Sequence, residues 1–233
     1  MKTLIVGMGE VGAALFNVLK DYNPHVIDPK LGEHVGPNAL EASNIEIMHI
    51  TFPFSDKFVE YVKEYQEKYK PKYTVVHATV KPGTCEQLGA VHSPTIGIHP
   101  FLESGMRTFT KFLGGKDASE VANYFRRVGL KVYLFDSAKT TELMKLLDTT
   151  YYALCVEYTK NIKRLCNEHN IPFEAWSVYN AEYNRGYTQL GYPEYVRPNL
   201  VPIMTPQGGH CTIPNCDLLG GEFSELVKNL NKK

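Results

Sequence analysis

The chain has 233 residues, 43% of them hydrophobic and 21% charged, ordinary values for a soluble globular protein with room for one large domain or two small ones. Its 25 basic and 25 acidic residues give a formal net charge of zero, which removes the electrostatic case for a nucleic acid or an anionic membrane as partner. Five cysteines, an odd number without framework spacing, fit a reducing cytoplasm, and no apolar run reaches bilayer length.

Residues 1–6 are too short and too poorly flanked for a signal peptide, and residues 2–6 form a short buried strand. The glycines that follow open a helix through about Leu19, which Tyr22-Asn23-Pro24 breaks. Residues 25–28 make a second strand ending in an acid. Residues 29–44, with Gly32, Gly36 and Pro37, are loop. A third strand over 45–52 is stopped by Pro53, and 57–69 form a charged surface helix. The fourth strand, 73–80, enters the turn Lys81-Pro82-Gly83-Thr84. Residues 95–101 are read as a fifth strand, 118–128 as a helix and 131–135 as a sixth strand. This alternation predicts an α/β fold, a Rossmann-like parallel sheet covered on both faces. Near Ser137 the character changes. Residues 140–170 predict one long helix, because Leu147, Tyr151, Leu154, Tyr158, Ile162 and Leu165 recur at three- and four-residue intervals. Pro172 starts another helix to about Tyr183, 186–214 are irregular, and 221–230 close the chain with a short helix. The expected division is a nucleotide domain over 1–136 and a smaller helical domain, for substrate and dimerisation, over 137–233.

Gly7-Met8-Gly9-Glu10-Val11-Gly12 sits between the first strand and its helix. There the first glycine permits a tight turn, the second lets a pyrophosphate approach the backbone, and the third lets helix and strand pack closely. Free N–H groups at the helix start face the phosphates. Asp28 lies about twenty residues on, at the end of the second strand, where a carboxylate binds ribose hydroxyls and repels a 2′-phosphate. The expected cofactor is NAD, with Pro53 and Thr79 at later strand ends counted among its contacts. Three glycines serving a tight turn in an unrelated domain is the bland alternative.

Gly208-Gly209-His210-Cys211 puts a thiol in a glycine-rich turn. A thiol near a hydride acceptor can add to an aldehyde, and a second oxidation then gives a thioester that water hydrolyses. Flanking glycines and His210 argue against burial of Cys211 in an apolar core. Cys155 and Cys166 are assigned to packing; Cys85 and Cys216 are left open. Lys145 shares a helix face with Glu142 and Thr149. It is either an oxyanion-stabilising ammonium or half of a solvated Glu–Lys pair, and the residues alone leave both open. Arg185 and Arg197, among several tyrosines, are candidates to hold phosphate or carboxylate. His77 and His99 are read as satisfied within strands. His210, Cys211 and Cys216 lack the second pair that structural zinc uses, so no metal is expected.

Several stretches together resemble the UDP-glucose/GDP-mannose dehydrogenase family. Thr79-Val80-Lys81-Pro82-Gly83-Thr84 is similar to its Ser-Thr-Val-x-x-Gly-Thr turn, and His99-Pro100-Phe101-Leu102-Glu103-Ser104-Gly105 to its Asn-Pro-Glu-Phe-Leu-x-Glu-Gly segment. Glu142-Leu143-Met144-Lys145 through Thr149 is similar to the helix with its catalytic lysine. Gly208-Gly209-His210-Cys211 resembles the turn with its nucleophilic cysteine. Thr149 stands where the family has asparagine, and Asn215 where it has aspartate. The resemblance implies a shortened member, lacking the C-terminal nucleotide-sugar-binding domain, that oxidises an alcohol to an acid. It implies Cys211 as nucleophile, Lys145 as electrostatic and proton-transfer partner, and Thr149 and Glu103 as positioning groups. Glu103 or Thr79 would hold the hydrolytic water, and His210 would contact substrate. The apolar stripe over 140–170 predicts a homodimer. Two rivals are a two-electron β-hydroxyacid-type dehydrogenase that uses Lys145 without Cys211, and a regulatory domain that binds NAD and catalyses nothing.

Overall fold

Two four-residue runs, Thr3–Val6 and Ile47–Ile50, are too short for helices and buried on both faces, and they form neighbouring strands of a sheet. The structure, a computed structural model, describes residues 2–28, 44–208 and 211–232. It divides into two compact units, Met1–Lys145 and Leu146–Lys233.

The first unit is a seven-stranded sheet in the order β2-β1-β3-β4-β5-β6-β7. The strands are β1 (Thr3–Val6), β2 (His25–Ile27), β3 (Ile47–Ile50), β4 (Tyr73–Val76), β5 (Val91–His92), β6 (Lys111–Gly114) and β7 (Val132–Phe135). Its helices are α1 (Glu10–Leu19), α2 (Phe58–Tyr69), α3 (Thr84–Leu88), α4 (Leu102–Thr108) and α5 (Ala118–Arg127). Pairing is parallel from β2 to β5, antiparallel between β5 and β6, and parallel again between β6 and β7. Period-two alternation sends Ile5, Ile47, Val75 and Val91 to one face, against Leu15, Val18, Val121 and Phe125. Leu4, Met48, Ile50 and Val76 go to the other, against Phe58, Val62, Cys85 and Leu88. Because β2 and β3 flank β1 on opposite sides, the strand order reverses at β1, where ligands of open α/β sheets bind beyond the carboxyl ends.

The fifth strand lies at Val91–His92, not at 95–101. Pro100 has no N–H for a ladder, and Gly97 takes φ +154°. Strand β6 went unforeseen because a charged residue, Lys111, opens it and two glycines end it. The sheet is therefore mixed where a parallel one was expected. Helices α3 and α4, at five and seven residues, are too short for a periodic signal. The loop expected from residue 29 lies, apart from Asn44, outside the described residues.

A long helix, α6 (Ala138–Glu168), begins in the first unit and continues into the second. There follow α7 (Phe173–Gln189), α8 (Thr212–Leu219) and α9 (Gly221–Leu230). Two stretches expected to be irregular are helical. Gly186 lies within α7 beside the tilted contact of Tyr183 with Tyr187, 4.7 Å between ring centroids. Pro214 stands in the first turn of α8, where its missing N–H costs nothing. The second unit has a small core of Ala153, Cys216 and Val227. Along α6 it exposes Leu147, Tyr151, Tyr158 and Leu165. No helix among the described residues is long and apolar enough to cross a membrane.

Candidate functional site

At the carboxyl end of β1 the chain turns through Gly7, whose φ of +102° favours glycine. Gly12 is needed for another reason: a Cβ there would lie 2.0 Å from the Gly7 carbonyl oxygen. Gly9 is required by neither. Its φ is −65°, open to any residue, and a Cβ would meet no described residue within 4 Å. Gly9 is also the N-cap of α1, and having no side chain it cannot itself cap the first-turn N–H groups. A glycine that the fold does not demand, at an uncapped helix start, leaves the backbone open to a phosphate.

Neighbouring side chains hold this turn in shape. Asp28 accepts the Met8 N–H at 2.6 Å, which draws its carboxylate onto the glycine turn. Thr51, one residue past β3, donates to the carbonyls of Val6 and Gly7 at 2.9 and 2.8 Å. Thr51 was not foreseen; its one sequence signal is a hydroxyl where the apolar run of β3 stops. Half-buried Met8 and Val11 pack against the core. Exposed Pro53 and half-buried Thr79 follow β3 and β4 at the same sheet edge. Glu10 pairs with His99 Nδ1 at 2.6 Å. His99 therefore belongs to an irregular segment beside the glycine turn, with a cis bond to Pro100, not to a strand.

The turn Lys81-Pro82-Gly83-Thr84 is fixed from α6. Glu142, fully buried, accepts the N–H of Gly83 at 2.5 Å and of Cys85 at 2.7 Å. With glycine at the N-cap, α3 has no local side chain to satisfy its first amides, so an acceptor 57–59 residues away does so. Glu142 is thus no solvated surface partner of Lys145. Lys145, half-buried on the same helix, helps lower the His92 pKa to about 3, behind the larger effect of burial. Glu103, on α4, is engaged by Arg107 at 3.1 Å, and Arg107 also donates to the Asn17 carbonyl on α1.

One polar chain crosses the apolar face packed by α5. Lys111 Nζ lies 3.3 Å from the Ser93 carbonyl and 3.4 Å from His77 Nδ1, and His77 Nε2 lies 3.0 Å from His49 Nδ1. With Lys111 charged, the donors run Lys111 to His77 to His49, and His49 Nε2 ends without a partner. Burial pushes Lys111 down to about 7 and His49 to about 3, and it pushes His77 well below the usual histidine range. His77 is hydrogen-bonded in the core, as read from the sequence.

In the second unit Cys211 is exposed and forms the N-cap of α8, its carbonyl accepting the Asn215 N–H at 3.1 Å. A helix N-cap is a place where backbone amides favour negative charge. Thr149 is buried on α6. Cys85 and Cys216 are buried, Cys155 and Cys166 half-buried, and all five cysteines are free. Arg185 is paired with Glu182. Arg197 is held differently: Asn184 bonds both its backbone N–H, at 2.9 Å, and its carbonyl, at 2.8 Å. Its guanidinium stacks 3.9 Å over Tyr183, a pre-set cation on an exposed surface. His210 and Gly209 lie outside the described residues. No group of three metal-ligating side chains occurs among the described residues.

No family model matches the sequence, and no curated protein matches it. Solved structures do match the fold. The UDP-D-ManNAc dehydrogenase of Pyrococcus horikoshii superposes with a TM-score of 0.77 at 15% identity, over 100% of this chain and 68% of that one. The UDP-N-acetyl-mannosamine dehydrogenase Cap5O of Staphylococcus aureus gives 0.67 at 17% identity, over 99% and 68%. The 3-hydroxyisobutyrate dehydrogenase of Mycobacterium tuberculosis gives 0.71 at 13% identity, over 100% and 93%. At such identities the likeness is one of fold, and the fold is one that sugar-nucleotide and hydroxyacid dehydrogenases share.

Proposed function

We propose that the chain is an NAD-dependent dehydrogenase that oxidises an alcohol, a sugar nucleotide or a related hydroxy compound, to the acid. The observation that carries this reading is Gly9, a glycine that neither backbone strain nor packing explains, at the bare start of α1. Gly7, Gly12 and the backbone of Met8, Glu10 and Val11 complete a dinucleotide turn, and Asp28 bound to Met8 favours NAD over its 2′-phosphorylated form. When bound, NAD supplies the hydride acceptor for both oxidations.

The chain's own residues would do the rest. Lys145 takes up the proton of the alcohol, and the ammonium so formed stabilises the alkoxide as it becomes an aldehyde. Cys211 thiolate adds to the aldehyde carbon, forming a C–S bond and a thiohemiacetal. Loss of a second hydride gives a thioester, and water cleaves the C–S bond to release the acid and the thiol. Thr149, Glu103 and Thr79 position substrate and water. Arg197, already clamped and stacked, suits an anionic group of the substrate better than Arg185, which Glu182 engages; His210 is the third substrate candidate. The exposed apolar side chains of α6 fit pairing with a second copy, and five free cysteines fit the cytoplasm.

Calorimetry with NAD, followed by turnover over a panel of sugar nucleotides and hydroxy acids, tests the reading. Cys211→Ser is expected to halt acid formation while aldehyde still accumulates. The hydroxyacid-type reading, favoured by a superposition spanning 93% of the 3-hydroxyisobutyrate enzyme, predicts near-normal ketone or aldehyde formation in the same variant. NAD binding without turnover on the whole panel would instead identify a sensing domain.

A further inference from the structure

Four residues before Cys211, Gln207 is gripped from two sides. Its N–H donates to Asn231 Oδ1 at 2.5 Å, and its carbonyl accepts from Asn231 Nδ2 at 3.0 Å. One side-chain amide thus pairs with a backbone amide as a neighbouring strand would. The Gln207 side chain turns the other way, donating to the Ala153 carbonyl at 3.0 Å and to Glu157 Oε1 at 2.7 Å, both on α6. Glu157 is 2% exposed, and Lys160, 4% exposed, donates to the same oxygen at 2.7 Å. The charge pair is therefore buried, while Glu157 Oε2 and Gln207 Oε1 have no hydrogen-bond partner.

Such burial is a poor source of stability, because well-packed apolar residues in place of a buried ion pair are often as stable or more so. What the pair does visibly is fix one loop residue through a charge-assisted hydrogen bond. Beyond the turn, Cys211 opens α8, whose Cys216 shares the small core with Ala153 of α6 and Val227 of α9. Asn231 is the C-cap of that same α9. Gln207 and the helix that Cys211 opens are thus both tied to α6 and α9.

We propose that Asn231 and Glu157 are positioning residues that, through Gln207, hold the turn carrying Cys211. The proposal rests on the reading of Cys211 as the nucleophile. A reacting atom misplaced by about 1 Å can cost on the order of 100-fold in rate, so a clamp this close to the thiol has a chemical consequence beyond folding.

The test uses the full chain as wild type, Asn231→Ala, Asn231→Asp and Cys211→Ser. Alkylation by iodoacetamide, followed at the Cys211 peptide by mass, reads the thiol without any substrate. Product analysis on the same sugar-nucleotide panel separates aldehyde from acid. Asn231→Ala is expected to change the Cys211 alkylation rate about threefold or more, in either direction, and to cut acid formation about tenfold or more, with aldehyde formation unchanged. Asn231→Asp keeps the acceptor for the Gln207 N–H and loses the donor, so it falls between the two. It also decides the matter if Asn231→Ala does not fold. Wild-type alkylation and wild-type acid formation in the asparagine variants would overturn the proposal. Acid formation surviving in Cys211→Ser removes the nucleophile instead, and the alkylation rate then still decides whether the clamp holds the turn.

Discussion

The glycine turn and the cysteine turn are stabilised by opposite means. The first is held mainly by backbone: Gly7 by its φ, Gly12 by contact with the Gly7 carbonyl, and Thr51 by two bonds to main-chain oxygens. The second is held by side chains from distant helices, Asn231 and Glu157 acting on Gln207. A backbone-held turn needs particular residue types at fixed spacing. A side-chain-held turn needs only that two distant residues meet. The difference fixes what each turn can tolerate.

If backbone packing rules the first turn, Gly12→Ala is the most damaging single change. Its methyl would be driven into a carbonyl, for a loss of about 3 kcal/mol or more, read as a collapse of the urea midpoint. A normal midpoint would show that α1 can slide away from β1 at little cost. Next in size is Glu142→Ala, which orphans the buried Cys85 N–H, at about 1–3 kcal/mol, and the half-buried Gly83 N–H, at less, and is expected to cost about 2–4 kcal/mol in total. Glu142→Gln keeps one acceptor and should recover roughly half of that loss.

The comparison also has a pH arm. The unfolded chain holds the Lys111 proton up to about pH 10.5, whereas the folded chain releases it at about 7, so the Lys111 contribution to stability rises with pH between those values. His49 titrates at about 3 when folded and 6.5 when unfolded, so stability falls as pH drops through that window. Lys111→Met should flatten the upper slope and leave the lower one. Equal slopes in both proteins would mean that the buried amine keeps its proton to as high a pH as the unfolded chain does.

Legibility followed the same division. Gly7, Gly9, Gly12 and Asp28 were readable because a strand, a turn and a helix impose their spacing, and the structure joins Asp28 to Met8. The long helix was readable from its period. Strand β6 was not, since Lys111 looks like surface until His77 and Ser93 are seen to receive its hydrogen bonds. Glu142 read equally well as half of a surface pair, because nothing local records that Gly83 and Cys85 lack acceptors. Residues 95–101 misled because an apolar run carries no mark of whether its amides find a ladder. Thr51, Asn184, Gln207 and Asn231 are common polar residues whose partners lie 13 to 54 residues away.

The smallest expected effect on stability belongs to Gly9, and it bears most directly on the function. Gly9→Val adds a side chain into open space, so the urea midpoint should shift by no more than about 0.5 kcal/mol. Titration of wild type and Gly9→Val with NAD by calorimetry is the decisive measurement. NAD binding by wild type and a loss of about tenfold or more in the variant, at unchanged stability, is the result predicted here. Equal affinity in the two proteins, or no binding by wild type, would contradict it.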